Sequence, residues 1–143
     1  MGVVTVSVDS STLILNDRPI TTFAEGDYIT LTPANPASSH VNSANGGVSI
    51  SEHLGRDVYD MVVRVQKYGA DDIFMAGILN GQGVTLLAGS LKESYTADGS
   101  AGVESWNLDA GSITTQPTQT KNNTDGNALM EYTVRFRTAK RSL

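Results

Sequence analysis

From Asp72 to Asn80 the chain reads DIFMAGILN, and between those two ends it carries no charged or polar side chain. A helix of that composition has no face to turn toward water and must be covered on several sides. No other stretch constrains the fold as strongly. Asp71 and Asp72 suit the partial positive charge of a helix N-terminus. Asn80-Gly81, after the last apolar residue, is a stop signal, so the pattern predicts a buried helix over about residues 71–80. Strand patterns flank it. In VYDMVVRVQKY, period-two alternation puts Tyr59, Met61, Val63 and Val65 on one face, with Val58 and Val62 opposite. VTLLAGSLKE follows the helix at once, with Leu86 opposite Leu87 and Leu91. Strands apolar on both faces are covered on both. One sheet covers one side of such a helix; either a second sheet of the same chain or a neighbouring copy must cover the rest.

The remainder is strand-rich. VVTVSVD alternates, with Val4, Val6 and Val8 on one face, and LILNDRPI runs into a turn at Asn16-Asp17. AEGDYITLTP directs Ile29 and Leu31 inward until Pro33 stops the strand, and VSISEHL is a short strand ending at Gly55. YTADGSAGVESWNLD is a hairpin about Asp98-Gly99, and its returning strand carries Trp106 and Leu108 on one face. In ALMEYTVRFRTAK, Met130, Tyr132, Val134 and Phe136 face one way, and Glu131, Thr133, Arg135 and Arg137 the other. The expected class is therefore mainly β: a two-sheet sandwich or barrel of about seven or eight strands around one buried helix. At 143 residues it forms one domain, spanning 1–143. Two stretches lack periodicity. TTQPTQTKNNTDGN is an irregular polar loop. PANPASSHVNSANGG, residues 33–47, holds a single isolated apolar residue, Val41. Loops this long are functional or disordered; this one reads either as a plain surface loop or as a contact with another copy.

Charge is uneven. Residues 131–143 hold four basic residues against one acidic, and the other 130 hold six basic against fourteen acidic. An acidic body opposes non-specific nucleic-acid binding, which needs basic clusters to displace counterions. The basic end reads as a solvated strip or a subunit contact. With no cysteine there is no disulfide or thiolate metal site. His40 lies in the long loop and His53 at a strand end, and Glu52-His53 lacks the second histidine of a helical zinc motif. GQGVTLLAG places its glycines after a helix, so it cannot cradle a phosphate. Asp71-Asp72 read as first-turn charges, and Asn122-Asn123-Thr124 matches a glycosylation acceptor. No catalytic residue, cofactor site or metal site is expected, and the chain is not expected to be an enzyme. MGVVTVSVDSS lacks the charged start and apolar run of a secretory signal, and no stretch is long enough to cross a bilayer. The expectation is a chain used without ordinary export and without membrane insertion.

This order of elements resembles the tail tube proteins of contractile-tailed bacteriophages, related in fold to the tubes of type VI secretion and of pyocins. The likeness rests on an N-terminal strand, a long polar loop, the unit VVRVQKYGADDIFMAGILNGQGVTLLAG, a hairpin and the closing strand EYTVRFRTAK. The resemblance implies a structural subunit whose homohexameric rings stack into a hollow tube. Neighbouring sheets would join into one inner barrel, and the tube would conduct double-stranded DNA, without specific binding, into the host on sheath contraction. It also implies partners in the tail sheath, baseplate and tape-measure proteins, and a place in the virion after assembly in the host cytoplasm. On this reading the long loop makes inter-ring contacts through Asn35, Ser38, His40, Val41 and Asn45. Ile73, Phe74, Ile78 and Leu79 form the buried helix and its subunit packing, and the basic closing strand and tail lie away from the bore, facing acidic groups of a neighbour. The competing reading is a non-enzymatic baseplate or receptor- or carbohydrate-binding β-sandwich module, which needs exposed aromatics on a concave face.

Overall fold

The structure, a computed structural model, describes residues 2–81, 83, 85–121, 123 and 129–143 (for residues 8 and 9, the backbone alone). The expected alternation of Val8 and the Asn122–Thr124 acceptor fall outside the described residues. Among the described residues, nine strands and one helix follow in order: β1 (Val4–Leu15), β2 (Arg18–Ile20), β3 (Ile29–Pro33), β4 (Ser38–Asn42), β5 (Val48–Glu52), β6 (Tyr59–Gln66), α1 (Ala70–Leu79), β7 (Leu87–Ala97), β8 (Ser100–Thr115) and β9 (Leu129–Ser142). The mainly β architecture with a single helix is the one the patterning calls for. The strands form a seven-stranded sheet ordered β2-β1-β7-β8-β9-β6-β3 and a separate β4–β5 hairpin.

Every pairing in the large sheet is antiparallel. Two tight turns set its register. Asn16 and Asp17, both at positive φ, let Leu15 pair with Arg18, and Asp98-Gly99 does the same for Ala97 and Ser100. Register then aligns the apolar parities. Leu13, Leu91 and Trp106 lie in one row, and Leu31, Met61, Val134 and Ile113 in another. Met61, Val63, Val65, Met130, Tyr132, Val134 and Phe136 are all buried, as their alternation predicts. Gly111, between Leu87 and Phe136 in register, has no room for a side chain: a Cβ there would stand 2.4 Å from the Phe136 ring.

The apolar face curls around this core. Tyr59 on β6 meets Trp106 on β8 edge-on, at 5.1 Å between ring centres. Among the described residues the two ends of the sheet, β2 and β3, are unpaired with each other, so the sheet is not closed into a barrel. A cleft of about 340 Å³, lined by Ser11, Tyr28, Leu31, Glu93, Glu104 and Trp106 among others, lies where the curl brings β3 toward β1, β7 and β8.

The helix departs from its sequence reading in one respect. Its buried residues are Asp71, Asp72 and Met75, whereas Ile73 is 67% exposed and Phe74, Ile78 and Leu79 are half-buried. Apolar composition predicted burial on all sides. The chain's own sheet instead covers one side, and its elements are too few to reach Ile73. The two carboxylates turn inward because they have partners there. Asp71 Oδ2 accepts from the main-chain nitrogens of Thr21 (2.9 Å) and Thr22 (2.7 Å) and from the Thr22 hydroxyl (2.6 Å). Asp72 accepts from the Tyr132 hydroxyl at 2.6 Å and from the Tyr68 nitrogen at 3.0 Å. Gly69, the N-cap, supplies no side chain, so these first-turn acids fix the helix entry themselves.

The region 33–47 is likewise corrected. It is not a structureless loop: residues 38–42 form β4 and pair antiparallel with β5, Ser38 opposite Glu52 and Asn42 opposite Val48. Serine, asparagine and histidine gave no apolar alternation because neither face of this hairpin enters the core. In β1, the two expected segments run as one strand interrupted by a register shift between Val6 and Ser11. At the other end of the helix, regular pairing begins at Leu87, so Leu86, 61% exposed, lies before β7 instead of within it.

Candidate assembly surface

The β4–β5 hairpin is almost wholly exposed; Ser39 alone among its ten strand residues is half-buried. Strand alternation puts His40, Asn42, Val48 and Ile50 on one face and Val41 on the other. Val41, Val48 and Ile50 are 57–65% exposed. Among the described residues the hairpin is anchored at its base. His53 N donates to Ala37 O at 3.0 Å, Ala34 N to Val58 O at 2.9 Å, and Asn35 Nδ2 to Gly55 O at 3.0 Å. Its tip is closed by Ser43, whose nitrogen donates to Gly47 O at 2.8 Å. An isolated two-stranded hairpin is marginal in water, and apolar residues on an uncovered one call for a surface supplied from outside the chain. The five residues expected to act together, Asn35, Ser38, His40, Val41 and Asn45, do cluster here: three in β4, one before it and one in the turn.

A second uncovered region lies at the start of β1. β2 pairs with β1 only over Leu13–Leu15, while β7 pairs with it from Val4 onward. The other backbone edge of β1 before Leu13 is therefore open among the described residues. Residues 3–7 are exposed on both faces, as are Thr96, Ala101 and Val103 beside them. Unpaired edges of this kind template the addition of another strand.

Ile73 projects to solvent from α1, and the half-buried Phe74 lies beneath the Arg18 guanidinium, 5.0 Å from its ring centre. Ile78 and Leu79 pack against the core. Of the four helix residues, Ile73 alone remains free for a partner.

The outward face of the large sheet has a different character. Asp60 and Arg135 stand opposite each other, as do Arg64 and Glu131. Arg135 binds Asp60 through both Nε (2.8 Å) and Nη2 (3.0 Å). This fork holds the Asp60 carboxyl below its ordinary pKa and raises that of Arg135. Arg64 lies 3.7 Å from Glu131 and Lys140 reaches Asp57 at 4.0 Å; on the opposite, Trp106-bearing face Arg141 pairs with Glu104. The basic closing strand was expected to face a neighbour's acids. Within the chain, antiparallel register sets Asp60 of β6 and Glu104 of β8 alongside β9, where they pair with Arg135 and Arg141, while Arg137 stands exposed.

At the helix start, burial pushes the Asp71 carboxyl up, but the Thr22 hydroxyl, the two nitrogens and Arg18 together hold it below its ordinary value. Burial, followed by the hydrogen bond to Asp72, holds the Tyr132 phenol well above its usual range. Sequence reasoning missed this pair of buried acids. One signal was present: Tyr132 sits on the inward parity of β9, and a buried tyrosine hydroxyl needs a partner. His40 is exposed, and no three His, Asp or Glu side chains converge in metal-binding geometry among the described residues. No helix is long and apolar enough to cross a membrane among them either.

No protein-family model matches the sequence, and no curated protein matches it. Solved structures do. A chain of the PVC sheath-tube complex, an extracellular contractile injection system in its extended state, is 11% identical, with 96% of this chain and 91% of that one covered at a TM-score of 0.63. A chain of the PVC sheath/tube terminator is 12% identical, with 97% of each covered, at 0.62. A chain of the six-fold symmetrised anti-feeding prophage baseplate is 9% identical, with 96% of each covered, at 0.55. At such identities the likeness is one of backbone architecture, and it runs nearly end to end in both partners. The chain therefore has a contractile-tail-tube-like fold.

Proposed function

We propose that this chain is a non-enzymatic structural subunit of a contractile tail, one domain that assembles into hexameric rings stacking as a hollow tube. The observation that carries the reading is the β4–β5 hairpin, a ten-residue ladder with apolar side chains that its own chain leaves uncovered, on a fold shared with a sheath-tube complex. The hairpin reaches the adjacent ring, with Asn35, Ser38, His40, Val41 and Asn45 at or near the contact. The open β1 edge receives a strand of a neighbour within the ring. Ile73, exposed on α1, packs against a neighbour. The six-fold symmetry named for the similar baseplate supports the ring number.

The outward sheet face, where Arg135 pairs with Asp60 and Arg64 with Glu131 while Arg137 stands exposed, lines the bore, contrary to the expectation that the closing strand lies away from it. A conduit for double-stranded DNA must not hold the polyanion, and cations neutralised in place release few counterions on its passage. Sheath, baseplate and tape-measure proteins are the further partners of this reading, and the virion its location.

Negative-stain microscopy of the purified protein tests it. Rings or tubes with a central hole are expected; a monodisperse monomer at high concentration overturns the reading. One observation favours a second reading. The similarity to a tube terminator is nearly equal to that to the sheath-tube complex, with TM-scores of 0.62 and 0.63. On that reading the chain ends a tube and the same images should show single rings, whereas a tube subunit should give long stacks.

A further inference from the structure

Three Asx-Gly steps lie among the described residues: Asn45-Gly46, Asn80-Gly81 and Asp98-Gly99. Such steps are chemically unstable in proportion to their freedom. The following glycine nitrogen must swing onto the side-chain carbonyl carbon, and glycine, lacking Cβ, hinders that approach least.

The fold restrains two of the three. Asn80 is the C-cap of α1, in helical backbone conformation, with its nitrogen donating to Ala76 O at 2.9 Å and the Gly81 nitrogen to Ile78 O at 3.4 Å. That geometry turns the Gly81 nitrogen away from the Asn80 side chain. Asp98 is held by its own carboxylate, whose Oδ1 accepts from the Val3 nitrogen at 2.8 Å. Asn45 is different. Like Asn80 it is exposed, but it sits at the tip of a hairpin and not at the end of a helix. Gly46 is at φ +82°, and its nitrogen donates to Ser43 O at 3.2 Å across the turn. The hairpin carrying this turn has no core beneath it, so opening the tip costs little.

We infer that Asn45-Gly46 is a spontaneous modification site, converting to aspartate and isoaspartate in the folded subunit. The Gly46 nitrogen attacks the Asn45 side-chain carbon. The new C–N bond closes a succinimide as the Cγ–Nδ2 bond breaks, and ammonia leaves with the proton that the Gly46 nitrogen gives up through solvent. Water then opens either carbonyl of the ring. One product is aspartate in the original backbone; the other is isoaspartate, with an extra methylene in the main chain. Nothing is oxidised or reduced. Each product places a new negative charge at the hairpin tip. The inference concerns the free subunit and stands apart from the assembly reading.

The test is incubation of the purified full-length protein at mildly alkaline pH, with peptide mapping by mass spectrometry and isoaspartyl methyltransferase labelling. A one-mass-unit gain at Asn45 is expected, accumulating at least several-fold faster than at Asn80, with isoaspartate label on the same peptide. Asn45→Gln should remove that signal and leave the slow one. In protein unfolded by urea the two sites should converge in rate. Equal rates in the folded protein, faster conversion at Asn80, or an intact Asn45 when the unfolded chain has converted would each overturn the inference.

Discussion

Removing the Asp71 carboxylate tests whether the first turn of α1 is a surface charge or an internal strut. The side chain is 1% exposed and accepts three hydrogen bonds, two from main-chain nitrogens of the β2–β3 connection. Bonds to a charged acceptor contribute roughly 1.5–3 kcal/mol each. Thr21 is exposed, so its nitrogen regains water in the variant; the two donors of half-buried Thr22 do not do so fully. At the lower figure those two put the loss for Asp71→Ala near 3 kcal/mol. A first-turn acid acting only on the helix dipole would be worth roughly 0.3–1 kcal/mol. The two accounts therefore differ by enough to measure. Urea unfolding of the unassembled subunit, followed through its single tryptophan, Trp106, reads the difference as a lower midpoint at constant slope. Asp71→Asn keeps an acceptor oxygen and should lose less. A change below about 0.5 kcal/mol for Asp71→Ala would refute the strut, since it would mean that water replaces all three bonds.

Other consequences are as direct. Because the folded Asp71 pKa lies below the unfolded value of about 3.9, its contribution is present above that value and lost as pH falls below it; acid titration of stability should show this, and Asp71→Asn should flatten it. Tyr132 has the opposite sign: its folded pKa is raised, so stability is full below about pH 10 and falls as pH climbs past it. Tyr132→Phe should weaken that alkaline loss in the same assay. Gly111→Ala sets a Cβ against the Phe136 ring and the Leu87 carbonyl and should cost about 1–3 kcal/mol by chemical denaturation. Gly89→Ala should be worse, because its Cβ would fall 1.7 Å from the main-chain oxygen of Ile14, and backbone cannot swing aside. Ile50→Ser on the exposed hairpin should leave the unfolding midpoint unchanged and suppress stacking in micrographs; unaltered tubes would remove the hairpin from the contact.

Much of this protein was legible in its sequence. Period-two alternation in β6 and β9 named the inner face residue by residue, because a strand that buries one face has no other way to arrange its side chains. Asn16-Asp17 and Asp98-Gly99 named two turns, since few residue pairs accept positive φ in succession. The bounds of α1 followed from its acidic start and its Asn-Gly end.

Tertiary structure decided the rest. β4 was invisible because its serine, histidine and asparagine carry no apolar alternation, unlike Val48 and Ile50 of its equally exposed partner β5. The apolar helix turned its aspartates inward and left Ile73 in solvent, for burial depends on which partners lie within reach as well as on polarity. Arg135, Lys140 and Arg141 met acids of their own chain because residues far apart in sequence became neighbours only when the sheet took its register. Local chemistry chose the elements; long-range pairing chose what each of them touches.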